Sequence, residues 1–428
     1  MQAPNSHRLS TSTFTNVSCP FCSLLCDDLI IKNSGGQLHV ERNGCTKAIA
    51  GFERSVIKTS PRIQGREASL KEAVDCTARM LRAAKQPLFS GLGTDVAGMR
   101  AVLPLAERTG AILDHMHGDA ETPHVLALQD GGWMSTTLTE IRNRADLIIF
   151  AGTDVVSDFP RFFERIVWNS HGLFDLKPEQ RNIIYIGRRL NTAPGRSPKG
   201  RKPLHIECDQ RRLPEIVSVL RTLLRGDAIQ VRSVAGVSIS VLQTLIERMQ
   251  KARYGVLVWA PAALDFPHTD LAIQVFYELV KDLNKTTRFS GFSLGGNDGG
   301  ITATNVCTWQ TGYPLRTGFS RGYPKYDAWR YSTKSLLEHG TIDTLVWISS
   351  LSTQPPPVGS ETPTIVLGVP QFKFSEEPDV FIPVGTPGVD HNGQLFRCDN
   401  VVALPMRTLR QSPLPSVASV MTAIHELL

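Results

Sequence analysis

Long apolar runs are absent from this 428-residue chain, and none approaches the roughly 20 residues that a membrane-spanning helix needs. The opening MQAPNSHRLSTSTF lacks the apolar stretch of a secretory signal, so it reads as a short disordered arm on a cytoplasmic, non-membrane protein. No complete G-x-G-x-x-G follows any strand-like segment, which argues against an ordinary dinucleotide site. No internal repeat of fixed period is present, which removes solenoids and propellers. Aromatic residues are few, at 7%, and none lies in the most basic segment, residues 187–202 (GRRLNTAPGRSPKGRK). Its six cations sit among Gly, Pro and Ser, so it reads as a solvated loop or a contact for an anionic ligand or partner. Without stacking rings it is not a nucleic-acid surface.

The length suggests two or three domains, and 41% hydrophobic with 20% charged residues fits a soluble globular protein. The net charge of +6 is mild for this length. Four of the eight cysteines crowd into the first 45 residues. In a reducing compartment clustered cysteines hold metal more often than they form disulfides. Cys19, Cys22, Cys26 and Cys45 follow C-x2-C-x3-C-x18-C. Three thiolates on a tight loop and a fourth returning after a hairpin suit a [4Fe–4S] cubane, with a zinc site or vestigial thiols as alternatives. Asp27 and Asp28 read as turn residues, and Cys76, Cys208, Cys307 and Cys398 as ordinary buried thiols.

Residues 18–45 form a hairpin, with LIIK and QLHV as strands and NSGG as the turn. LKEAVDCTARMLRAAK repeats apolar residues at helical spacing. PLFSGLGTDVAGMRAVLPLAERTG is a strand, a Gly-rich turn and a helix, and the turn lies where α/β sheets bind ligands. Apolar strands then alternate with helices at ADLIIFAGTD, RNIIYIGR, PLHIEC and YGVLVWAP, and again at TLVWISS, TPTIVLGVP and DVFIPVG. That alternation predicts an α/β protein with parallel sheets covered on both faces. Residues 286–331, rich in Gly and aromatics, look unlike a plain βα unit, and the tail after residue 405 ends in a helix. The expected divisions are an arm and cysteine module (1–58), the first half of a discontinuous lobe (59–140), an inserted Rossmann-like lobe (141–285), and a return segment with the tail (286–428).

The quartet followed by α/β lobes resembles the molybdopterin oxidoreductases. CPFCSLLCDDLII, NGCTKAIAGF, MHGDAETPHVLALQDGG, LTEIRNRADLIIFAGTDVVSDFPRFFER, TRFSGFSLGGNDGG, TWQTGYPLRTGFSRGYP and VGTPGVDHNGQLFRCDN narrow this to formylmethanofuran dehydrogenase B subunits, in order from about residue 18 to 405. The resemblance implies a cysteine or selenocysteine ligand to molybdenum or tungsten directly before His-Gly. Here that position is Met116, followed by His117 and Gly118. A thioether is neutral and cannot deprotonate, so the expected metal ligand is missing. The resemblance places a catalytic histidine on His117 and an active-site arginine on Arg288, both read as relics without the metal. His115 and His124 read as packing residues, and Cys307 is not expected to replace the ligand.

Loss of the ligand is expected in a bacterial branch that this chain resembles most, the B subunits of formyltransferase/hydrolase complexes. There the resemblance implies a scaffolding subunit with A, C and D partners in methanofuran- and tetrahydromethanopterin-linked one-carbon metabolism, without molybdenum or tungsten chemistry. The competing expectation is a redox-active subunit that oxidises formylmethanofuran to CO2. A nucleotide-binding protein of another kind is the third. If a pterin phosphate or guanosine bound, Gly91, Gly93, Thr94, Gly295, Gly296 and Asn297 would lie against it, although such glycines are equally explained by backbone geometry. The pterin-embracing β-barrel domain of single-chain relatives is missing, which points to a partner subunit.

Overall fold

In the computed structural model, residues 11–174, 176–357 and 361–428 are described. They fold into two compact units. The first comprises residues up to Gly118 together with Gly296–Leu428, and the second Asp119–Gly295.

The second unit is built on five strands that read as apolar runs because both faces are covered. They lie in the order Leu204–Ile206, Asn182–Ile186, Leu147–Ala151, Gly255–Trp259 and Phe289–Ser293, all parallel. Counted along the chain, this is the doubly wound order 3-2-1-4-5. Helices Leu213–Leu224, Ile239–Lys251 and Thr269–Leu283 supply apolar stripes to its core around Leu220, Leu242 and Phe276. The stretch 286–331 is not a plain βα unit, as its sequence suggests. It does contain a strand, Phe289–Ser293, then a helix, Gly300–Thr311, but the strand completes the second unit's sheet and the helix belongs to the first unit.

A nine-stranded sheet forms the first unit's centre, in the order Lys325–Tyr326, Thr317–Gly318, Ile112–Leu113, Pro87–Gly93, Thr344–Ser349, Thr364–Gly368, Val380–Pro383, Arg62–Ile63, Arg66–Glu67. Its middle five strands are parallel and its edges antiparallel. The helix Leu70–Ala83 opens on a capping box, with Ser69 and Glu72 bonding each other's backbone amides. Together with Val96–Thr109 and Val417–Glu426 it packs on the core of Leu103, Val346, Leu367 and Met421.

The cysteine module also sits in this unit. Its strands Leu29–Ser34 and Gln37–Arg42 form the expected hairpin. Gly35 and Gly36 both take positive φ, 61° and 94°, as a two-residue turn of this hand requires. A third strand, Thr11–Val17, pairs with the hairpin in register Thr11↔Ser34. The reading of the opening as a disordered arm is therefore corrected for residues 11–14, while residues 1–10 lie outside the described residues. TSTFTNV is rich in β-branched residues, and that signal identifies it in hindsight.

Directly before the segment that matters most, Asp114 is buried at the end of Ile112–Leu113. Arg316 donates to it at 3.3 Å, and the Thr333 amide and hydroxyl donate at 2.7 and 2.8 Å. Both charges of that ion pair are almost wholly buried. Burial outweighs Arg316 and raises the Asp114 pKa. Asp114→Ala removes this counter-charge from Arg316 and should lower the unfolding free energy by about 3 kcal/mol or more in urea titration. A loss below about 1 kcal/mol would show that the pair does not hold this strand end.

Candidate functional site

The loop that carries three of the four cysteines is closed on itself. The Cys19 amide donates to the Cys26 carbonyl at 2.8 Å and the Leu25 amide to the Cys22 carbonyl at 3.1 Å. Leu25 holds a left-handed conformation, φ 47°, which a branched side chain adopts only under constraint. Its side chain is buried with Leu351, Leu395 and Met406, and this packing fixes the reversal that presents Cys26. Cys45 begins the helix Thr46–Phe52. Phe21 stacks edge-on against Phe52 at 4.9 Å and fills the space beside Gly51, where a Cβ would meet its ring at 2.4 Å. The loop is thereby pressed onto the helix that follows the fourth cysteine.

Cys19, Cys22 and Cys26 are buried, and Cys45 is partly exposed. The quartet is close enough to interact through charge. Burial first, then the neighbouring Cys22, Cys26 and Cys45, raises the Cys19 pKa far above its ordinary value. Burial pushes the Cys22 thiol up to about 11, with Cys45 adding to the effect. Cys398, expected to be an ordinary buried thiol, adjoins this group. Its amide donates to the Ser23 carbonyl at 2.9 Å, and after burial and Asp399 the charge of Cys22 also raises its pKa. Among the other thiols, Cys208 and Cys307 are buried, and Cys307 lies in the hydrophobic core against the Pro314 carbonyl. Cys76 is only partly buried.

A single zinc, with Zn–S near 2.3 Å, needs sulfurs that converge to about 4 Å from one another. Among the described residues no group of three or more His, Cys, Asp or Glu is arranged to hold a metal ion. A cubane takes one thiolate at each of four irons and spreads its ligands more widely. Four mutually interacting thiols, mostly buried, fit that group by donor chemistry. Binding it would displace the protons that burial favours on Cys19 and Cys22.

The second set of residues surrounds Met116. Its amide donates to the Gly91 carbonyl at 3.3 Å, and its side chain packs against the apolar cluster of Trp347, Phe372 and Phe381. Such a thioether fills apolar space and offers no anionic sulfur to a metal. The donor set at this position does not fit a thiolate-ligated molybdenum or tungsten.

Beside Met116, His117 and His115 converge on Asp298. His117 Nε2 donates to the Asp298 carboxylate at 2.8 Å. The His117 amide donates to His115 Nδ1 at 3.1 Å, which leaves His115 Nε2 as the donor to the Asp298 carbonyl at 3.2 Å. Burial, helped by the His117 charge, lowers the His115 pKa to about 4. Burial would raise the Asp298 carboxyl, but the hydrogen bond and charge of His117 outweigh it and hold the group below its ordinary value. Sequence reasoning missed Asp298. An acid flanked by two glycine pairs, GGNDGG, is the signal that marks it.

The remaining expected residues take these places. Gly91, Gly93 and Thr94 are buried at the end of Pro87–Gly93. A Cβ on Gly91 would stand 2.6 Å from the Ile348 carbonyl, and one on Gly93 would stand 3.2 Å from the Met116 methyl. Conformation and close packing thus require glycine at 91, whereas at 93 the contact is tight. Asn297 accepts the Ser23 amide at 3.1 Å and so ties the cysteine loop to the Asp298 loop. A Cβ on Gly296 would meet Ile301, and one on Gly295, in the second unit, would meet Glu121. Arg288 also belongs to the second unit, where it is exposed before Phe289–Ser293. His124 is partly buried there among Trp133, Trp259 and Tyr277, with Tyr277 Oη 2.7 Å from its Nδ1, and desolvation lowers its pKa to about 4.

Two arginines escaped sequence reasoning. Arg54 donates to the Leu351 carbonyl at 2.8 Å and Arg410 to Asp390 at 2.7 Å, yet one Nη1 atom of each is buried without a hydrogen-bond partner. Arg54 feels Asp298, Asp390 and Arg410, and burial lowers its pKa. Each of these Nη1 atoms is a buried donor left without an acceptor.

In the second unit, the doubly wound sheet's first glycine turn is closed. A Cβ on Gly152 would stand 2.7 Å from Leu264 and 2.9 Å from Leu213.

The comparisons with known proteins agree with one another. The chain is 30% identical over 403 residues to the B subunit of the tungsten-containing formylmethanofuran dehydrogenase 2 of Methanocaldococcus jannaschii, covering 90% of this chain and 91% of that protein. It is 27% identical to the Methanococcus maripaludis protein of the same description, covering 94% of each. It is 29% identical to the B subunit of the formyltransferase/hydrolase complex Fhc of Methylorubrum extorquens, covering 78% of this chain and 87% of that one. A chain in the crystal structure of the M. extorquens formyltransferase/hydrolase complex with methylofuran superposes with TM-score 0.74 at 27% identity, covering 86% of this chain and 98% of that one. No protein-family model matches the chain.

A buried neutral histidine gives the site a defined acid response. The unfolded imidazole binds its proton near pH 6.5 and native His115 only near 4, so the unfolded state takes up more protons between those values. Stability contributed by neutral His115 is complete above about pH 6.5 and is lost as pH falls toward 4, up to about 3 kcal/mol. His124 adds a similar slope. His115→Gln should remove about half of this slope in denaturant titrations across that range, and an unchanged slope would contradict neutral burial.

Proposed function

The chain belongs to the family of formylmethanofuran dehydrogenase B subunits, and from that premise we propose that it serves as a non-redox, scaffolding member of a formyltransferase/hydrolase complex. The observation that carries this reading is Met116. A neutral thioether packed into an apolar cluster occupies the position where the family resemblance calls for an anionic metal ligand. Pterin-bound molybdenum or tungsten chemistry is then lost, and His117 persists as a hydrogen-bonding partner of Asp298. The two units would be α/β lobes of the molybdopterin oxidoreductase type. Their work would be to hold A, C and D subunits together in the cytoplasm during methanofuran- and tetrahydromethanopterin-linked conversion of formaldehyde to formate. The multisubunit neighbour supports this assembly.

We propose further that Cys19, Cys22, Cys26 and Cys45 hold a [4Fe–4S] cluster whose role is to fasten the N-terminal module. Such a group supplies electron storage where a circuit exists. Without a partner centre at Met116, this chain's thiolates would serve to anchor the loop 19–26 against the helix Thr46–Phe52. The competing reading, a redox protein oxidising formylmethanofuran to CO2, is favoured by identity to the tungsten-containing relatives. A nucleotide-binding role is disfavoured by Leu213 and Leu264 at Gly152.

Metal analysis of the anaerobically purified complex separates these readings. The scaffold predicts about four irons per chain, no stoichiometric molybdenum or tungsten, and no viologen reduction with formylmethanofuran. Molybdenum or tungsten at one per chain would overturn it. Cys19→Ser should abolish iron binding and lower the thermal midpoint of the module while leaving the complex's formyl-transferring activity within about twofold, an effect of less than about 1 kcal/mol. Parallel loss of activity would assign the cluster a catalytic task.

A further inference from the structure

We infer that the first unit carries a separate pocket for a small organic anion bearing two or more carboxylate or phosphate groups. It lies at the edge of the nine-stranded sheet, beside Lys325–Tyr326, and encloses about 470 Å³, within the range of small-molecule sites. None of its lining residues belongs to the cysteine quartet or to the Met116–Asp298 cluster.

Two sorts of surface meet there. Ile112, Tyr331 and Leu336 line the pocket and belong to an apolar cluster with Leu88, Ile342 and Leu345. Arg321, Lys325, Arg330 and His339 bring cationic or protonatable groups, and no aspartate or glutamate lines the cavity. The acids nearest in sequence keep their charge but are held by partners other than these cations. Asp327 accepts the amides of Trp329 and Arg330 at 3.2 and 2.9 Å. Asp343 accepts those of Lys85 and Gln86 at 2.6 and 3.1 Å, and Glu338 stands 4.0 Å from Lys334. Among the described residues Arg321, Lys325 and Arg330 make no ion pair.

Three cations without an ion-pair partner line one concavity and repel one another, and an apolar wall concentrates their field toward the opening. A multivalent oxyanion relieves that repulsion, and guanidinium groups can meet carboxylate or phosphate oxygens in pairs. His339 adds a group already oriented, since its Nδ1 donates to the Ser335 carbonyl at 2.7 Å, and its Nε2 can donate to an anion in the imidazolium form. The Ser320 and Thr341 hydroxyls line the same space. The apolar wall suits a ligand with a carbon body better than a bare inorganic ion.

Calorimetric titration of the full-length protein with citrate and with pyrophosphate, at about 50 and 150 mM salt, tests this assignment. Saturable binding of one or both is expected, and the stronger of the two assigns carboxylate or phosphate as the preferred group. Arg321→Gln combined with Arg330→Gln should weaken binding about tenfold or more, while Lys71→Gln on an exposed helix should not change it. Both substitutions lie on the surface, and an unchanged thermal midpoint will confirm that the variant is folded. Absence of binding, or equal binding by the double variant, overturns the proposal. So does loss of binding in the assembled complex, which would assign the cations to the acidic surface of a partner subunit.

Discussion

Residues 296–299 hold the first unit's chemistry-bearing segments together through consecutive contacts. Asn297 accepts the Ser23 amide of the cysteine loop, Asp298 receives His117 on its side chain and His115 on its carbonyl, and Gly299 lies against Thr94. This is possible because the backbone turns left-handed at Gly296, Asp298 and Gly299. A Cβ on Gly299 would come within 2.8 Å of the Thr94 carbonyl, so glycine is required by both conformation and space. A partly buried carboxylate is tolerable here because His117 donates to it, and a hydrogen bond to a charged group is worth about 1.5–3 kcal/mol. The glycine-rich loop therefore acts as a staple between segments far apart in sequence.

The two metal-related positions are governed by different chemistry. The quartet keeps soft, ionisable sulfur in a buried setting, where a metal cluster can offset the cost of charge. Met116 keeps sulfur as well, but in a form that cannot carry charge, and its apolar neighbours match that neutrality. Tungsten-containing relatives and a formyltransferase/hydrolase protein lie at similar identity to this chain, so kinship spans both chemistries.

Periodicity and composition made most of the α/β pattern legible. The strands near residues 87, 147, 182, 255, 344, 364 and 380 are buried on both faces and read as apolar runs. Thr11–Val17 was obscured because five of its seven residues are exposed, which weakens the apolar alternation. Phe289–Ser293 was obscured by the glycine within it. Spacing revealed the cysteines, whereas Cys398, Arg54 and Arg410 became visible only through contacts across hundreds of residues. Leu25 in a left-handed conformation has no sequence signature at all, since it is imposed by the loop around it.

The first unit's sheet has a temporal consequence. Pro87–Gly93 takes Thr344–Ser349 as its parallel neighbour, so a central strand of that sheet waits for residues made about 250 positions later. The second unit has all five of its strands within one uninterrupted stretch and can close first as the chain emerges from the ribosome. Until the C-terminal segment arrives, the edge of Pro87–Gly93 presents unpaired amides and carbonyls on a largely apolar strand. Slow, non-local pairing of this kind exposes a chain to aggregation, so the efficiency of synthesis should depend on chaperones that shelter the first hundred residues.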